Sequence, residues 1–248
     1  MLPLFVLFVA SLWAGAQNAL AGGGSFLTLP ALIAAGMDAR AANITSTVAL
    51  FPAQIVTGLT GRRGASGLPD LSLKSLFAIS LVGGGVGGAI LLATPASFFA
   101  RLVPWLVLFA TAVFAWGSFF RRPPAAGQSH MPQGAAALAQ FLIAIYGGYF
   151  GGGIGFLMMA ALTTAGQNVR MAGATKNILA GVINAAAVAI FVFSPDIHWL
   201  QAGVAALGAS IGGVAGALML QKVNEKALRI GIVAIGLILT VGLFLRAP

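Results

Sequence analysis

Residues 102–120 run without a single charged side chain, as do residues 2–21, and residues 73–93 carry only Lys74. Each stretch approaches the roughly 20 residues that a helix needs to cross the ~30 Å hydrocarbon core of a bilayer. The whole chain of 248 residues is 59% hydrophobic and 7% charged, too little polar side chain to cover a water-facing surface. A bilayer must therefore be its solvent. A transmembrane barrel requires short segments that alternate apolar and polar residues, and 102–120 does not alternate. The expected class is an all-α polytopic membrane protein.

The formal charge of +9, from 13 Lys and Arg against 4 Asp and Glu, does not point to nucleic acid. The basic residues sit at segment ends, at Arg62, Arg63, Arg121, Arg122, Lys222, Lys226 and Arg229, where they meet lipid headgroups and set orientation. No nucleic-acid partner is expected. The chain has no cysteine, which removes thiolate catalysis and thiolate metal sites. Residues 2–21 lack the basic start of a signal peptide and have an apolar counterpart at 136–150, so they are expected to be a retained span.

The chain repeats itself. Gly23, Phe26, Leu27, Gly36, Arg40, Ala42 and Thr45 recur 130 positions later as Gly153, Phe156, Leu157, Gly166, Arg170, Ala172 and Thr175. Further on the register slips, with Pro69-Asp70 answering Pro195-Asp196 and Gly84-Gly85-Val86 answering Gly212-Gly213-Val214. Such a pattern marks a tandem duplication. It divides the chain into a first repeat at 1–122, a polar, proline-rich linker at 123–133 and a second repeat at 134–248, together one transmembrane domain.

Each repeat holds about five hydrophobic segments, in the first at 2–21, 25–35, 42–60, 73–93 and 102–120. The second of these is only half a span, since eleven helical residues rise about 16 Å. It is expected to be a re-entrant or broken helix, with the preceding glycines supplying the turn. An odd number of segments per copy makes the repeats inverted in topology, a common transporter plan. Threading the chain this way gathers Arg62, Arg63, Lys74, Arg121, Arg122, Arg170, Lys222, Lys226 and Arg229 on one side, expected to be cytoplasmic. Both termini then lie outside.

The candidate site follows from these half-helices. Gly22, Gly23, Gly24 and Ser25 open the first, and Gly151, Gly152, Gly153, Ile154 and Gly155 open the second. A helix that starts at membrane depth presents unpaired N–H groups and the positive end of its dipole, which together suit an anion. The same glycines also permit close helix packing, as those at 83–88 and 212–216 do. On the next helix Thr45, Ser46 and Thr47 are matched by Thr175, Lys176 and Asn177, and seven residues on Gln54 is matched by Asn184. Lys176 is a cation inside a span, either serving a bound anion or snorkelling to the interface. Gln54 and Asn184 fall near the bilayer centre, where they either face the site or tie helices together. Asn18, Gln17, Tyr146 and Tyr149, just before the glycine runs, are placed to face the site as well.

The four acids, Asp38, Asp70, Asp196 and Glu225, all fall in connections or at segment ends, so a proton relay through a mid-membrane carboxylate has no candidate. His130 and His198 are read as solvated loop residues. No catalytic residue, metal site or cofactor is expected.

The blocks GGGSFLTLP at 22–30, AANITS at 41–46, YGGYFGGGIGF at 146–156 and ATKN at 174–177 together resemble the sulfite exporter TauE/SafE family of membrane permeases. The resemblance implies movement of a small sulfur-containing anion, such as a sulfonate, sulfite or thiosulfate, across what is expected to be a bacterial inner membrane. The expectation is a secondary transporter working by alternating access, not an enzyme. The rival readings are an anion channel, a non-transporting membrane assembly partner and, less in keeping with the sequence, a membrane-embedded enzyme. Substrate identity, direction, coupling ion and oligomeric state, homo-oligomers included, are left open.

Overall fold

The computed structural model of the chain describes residues 2–20, 23–119, 131–219 and 225–246. Gly22, linker residues 123–130 with His130, and Arg121, Arg122 and Lys222 lie outside them, as do the side chains of Lys226 and Arg229.

The described residues form ten α-helices: α1 (Leu2–Leu20), α2 (Ser25–Ala34), α3 (Ala39–Gly61), α4 (Leu73–Ala93), α5 (Ala96–Phe119), α6 (Gln133–Tyr149), α7 (Ile154–Thr164), α8 (Val169–Phe191), α9 (Trp199–Met219) and α10 (Glu225–Arg246). A short 3-10 turn, Arg62–Gly64, follows α3. Helices α4, α5, α8 and α9 contain stretches long and apolar enough to cross a membrane. With the large hydrophobics exposed along them, such as Phe77, Val82, Phe109, Leu207 and Val214, the fold is that of an all-α multi-pass membrane protein.

Helices α2 and α7 are the short elements, at 10 and 11 residues. Each starts at a glycine turn, with φ of 82° at Gly23 and 78° at Gly153, and ends at another, Gly36 and Gly166. Those values exclude most L residues, which explains why the sequence spends glycine at both ends. The helices that follow are capped at matched positions. Asp38 accepts from the N–H groups of Arg40 and Ala41 at the start of α3, and Asn168 accepts from Met171 N–H at the start of α8.

The two sets of five helices interlock. Helix α1 packs along α9, α6 along α4, and α5 along α10, while α3 crosses both α8 and α9 and α8 crosses α4. Glycines make these approaches close: a side chain on Gly212 would strike the Leu12 carbonyl, and one on Gly148 the backbone of Gly84. Lipid tails are as apolar as leucine, so association rests on van der Waals contact of this kind. The largest core cluster gathers Phe26, Phe99, Phe114, Phe150 and Phe191 around the two half-helices. The rings of Phe114 of α5 and Phe156 of α7 meet tilted at 47°, with centroids 3.8 Å apart.

Candidate functional site

The half-helices meet at their N-terminal ends. A Cβ on Gly153 would lie 3.7 Å from the Phe26 ring, and residues from both glycine turns border one cavity. Helix α1 contributes Asn18, the start of α2 Gly23 and Ser25, and α3 Gln54 and Thr57. The turn into α7 contributes Gly151, Ile154 and Gly155, and α8 contributes Lys176, Asn177 and Ala180. The cavity offers about 40 Å³ of free space measured at the centre of a water molecule. One water takes roughly 10–15 Å³ on that measure, so the space suits a few waters or one small oxyanion.

Backbone and side chains fix the cavity walls. The Tyr146 hydroxyl donates to the Gly152 carbonyl at 2.9 Å, and the Gln17 amide donates to the Gly23 carbonyl at 3.2 Å, so each turn is held from the preceding helix. The amides of Ile154 and Gly155, in the first turn of α7, have no acceptor among the described residues. Lys176 lies in the third turn of α8, is 9% exposed, and has neither an ion pair nor a hydrogen bond among the described residues. A buried cation without a counter-charge and a helix start with free N–H groups therefore share one cavity. Both favour negative charge there. No cluster of His, Cys, Asp or Glu able to hold a metal occurs among the described residues.

The model of the sulfite exporter TauE/SafE family matches residues 7–243 of this chain. The chain belongs to that family. Relatives in the curated proteins include the probable membrane transporter protein YfcA of Escherichia coli K12, 28% identical over 96% of this chain and 88% of its own length. A probable membrane transporter protein of Haemophilus influenzae is 26% identical over 96% of this chain and 92% of its own, and the probable membrane transporter protein ORF9 of a Sinorhizobium species is 27% identical over 97% and 92%. This TauE/SafE member is thus a multi-pass membrane transporter, and its bacterial relatives are consistent with an inner-membrane location.

Of the residues singled out from the sequence, Asn18, Gly23, Ser25, Gln54, Gly151, Ile154, Gly155, Lys176 and Asn177 border the cavity. The others stand around it. Gly24 packs on the Ala14 carbonyl, and Gly153 caps α7 with its turn against Ala110. Gly152 accepts the Tyr146 hydroxyl, while Tyr149 stacks edge-on with Phe99 and its carbonyl accepts from the Asn43 amide. Thr45 and Ser46 bond elsewhere: the Thr45 hydroxyl accepts from His198 N–H, and Ser46 bonds the Thr28 hydroxyl at 2.5 Å. Thr47 donates to the Asn43 carbonyl, its hydroxyl 3.9 Å from where a Cβ on Gly151 would sit. Thr175 bonds the Ser66 backbone. Asn184 lies behind the cavity and donates to Gln54.

Sequence reasoning did not single out Thr57 and Ala180. Thr57 lies three residues after Gln54, the spacing of one helix face, and that was the available signal. Ala180 carries no chemistry that a sequence could flag.

Proposed function

We propose that this chain is a secondary permease for small sulfur-containing anions, such as sulfonates, sulfite or thiosulfate, and is not an enzyme. The anion sits between the opening turns of α2 and α7, with Lys176 as its counter-charge. The observation that carries this reading is the Lys176 ammonium, buried and without an acidic partner among the described residues, in the same cavity as the free first-turn amides of α7. A sulfur oxyanion offers several acceptor oxygens to these donors, and charge-assisted bonds of this kind are the stronger ones. Family membership supports a transporter, and the family name supports the substrate class.

In this reading the two repeats have inverted topology, and access alternates as the half-helix units rock against the remaining helices around a fixed site. The side bearing Arg62, Arg63, Lys74 and Arg170 faces the cytoplasm. Proteoliposomes test the reading directly. Saturable movement of sulfite, thiosulfate or sulfoacetate, lost in Lys176→Met, is the expected result. If none of these anions moves, or Lys176→Met leaves flux intact, the substrate class or the site is wrong.

A further inference from the structure

One residue that borders the cavity is bonded to one that does not. Asn184 Nδ2 donates to Gln54 Oε1 at 2.6 Å, linking α8 to α3 where both are buried or half-buried. An amide side chain has one acceptor end and one donor end. With Oε1 committed to Asn184, the end of Gln54 left for the cavity is its Nε2 amino group, which has no partner among the described residues. Asn18 is arranged the same way: its Oδ1 accepts from Gly24 N–H at 3.5 Å, and the amino group of this second cavity-lining amide has no partner among the described residues.

We infer that Asn184 is a positioning residue that holds Gln54 with its donor end toward the bound anion, so that the cavity presents N–H groups and the Lys176 ammonium where it would otherwise present a carbonyl oxygen. The inference rests on the anion-site reading above and adds a specificity determinant to it. Without Asn184, no other group among the described residues holds Gln54 Oε1 away from the cavity. The amide is then free to turn that oxygen toward Lys176, which borders the same cavity. The lysine would acquire an internal acceptor, and an incoming anion would have to displace it. Loss of one oriented donor and gain of one competing acceptor both weaken anion binding.

The test uses the full-length purified protein and sodium thiosulfate, whose charge is constant across the pH range used, with dissociation constants read from thermal stabilisation. Asn184→Leu should weaken thiosulfate binding about fivefold to tenfold. Gln54→Leu should weaken it also, and adding Asn184→Leu to Gln54→Leu should change nothing further, because Asn184 acts through Gln54. Asn184→Asp supplies a second route if the leucine variant does not fold. Its carboxyl can donate to Gln54 Oε1 only while protonated, and once ionised it demands the Gln54 amino group. Affinity of Asn184→Asp should therefore fall as pH rises, more steeply than that of the wild type and of the Gln54→Leu, Asn184→Asp double variant. Equal binding by wild type and Asn184→Leu, or an equal loss in the Gln54→Leu background, overturns the role of Asn184 and leaves the anion site standing. A wild-type protein that binds neither thiosulfate nor sulfite overturns both.

Discussion

Arg40 of α3 and Asp196, in the connection between α8 and α9, form an ion pair with Nη2 and Oδ2 2.8 Å apart, the two side chains only 21% and 23% exposed. The same guanidinium donates from Nη1 to the Thr94 carbonyl at 2.8 Å, in the turn between α4 and α5. One arginine thus ties three connections from both halves of the chain. Breaking a largely buried pair by removing one partner leaves the other uncompensated. Arg40→Gln is expected to lower stability by about 1–3 kcal/mol. Thermal melts of the detergent-purified protein read this directly, and Asp196→Asn in the Arg40→Gln background should add much less than it does alone.

Lys176→Met tests burial and function together. Removing a buried cation that has no ion pair among the described residues relieves a desolvation cost, so the unliganded variant should melt no lower than the wild type. Stabilisation by sulfite or thiosulfate should disappear in the same protein. A large drop in unliganded melting temperature would show that Lys176 serves the fold, and the counter-charge role would fall with it.

Packing glycines and open glycines should separate cleanly. A Cβ on Gly84 would lie 2.6 Å from the Ile183 carbonyl oxygen, whereas one on Gly203 meets nothing within 4 Å. Gly84→Ala is expected to cost about 1–3 kcal/mol by forcing α4 and α8 apart. Gly203→Ala should be neutral or gain up to about 1 kcal/mol from helix propensity. Chemical denaturation of both variants beside the wild type makes the comparison, and equal effects would contradict the close approach.

Gly153 combines two restrictions. Its φ is 78°, and a Cβ there would lie 2.9 Å from the Ala110 Cβ. Gly153→Ala is expected to cost about 1–2 kcal/mol for the left-handed backbone, with the clash in addition. Because this residue caps α7, transport should fall more than stability alone accounts for. The flux of reconstituted Gly153→Ala, corrected for the folded fraction, checks this.

Much of the architecture was legible in the sequence because membrane helices announce themselves by length and composition. The half-length of residues 25–35 led to α2, and the 130-residue offset carried α7 and the paired glycines of positive φ with it. Lys176 was legible as a cation with no acid beside it in a span. Direction around the helix axis was harder to read. Thr45, Ser46 and Thr47 are consecutive and so point about 100° apart on a helix, and only the packing of α2 and of the connection before α9 decides that Thr45 meets His198 and Ser46 meets Thr28. The Arg40 to Asp196 pair was invisible for a related reason: duplication aligned Arg40 with Arg170 and Asp70 with Asp196, and alignment does not say which copy an arginine reaches across to.

The interlocking of the ten helices bears on how the protein is made. Helix α1 packs chiefly along α9, and α4 packs chiefly along α6. A ribosome that has delivered residues 1–122 has therefore released helices whose glycine faces are still without their mates. Those faces must wait in the membrane until the later helices emerge, so biogenesis ends in one late assembly step. The first half produced alone should be cleared by membrane proteases, and two halves supplied as separate chains should survive only when made together.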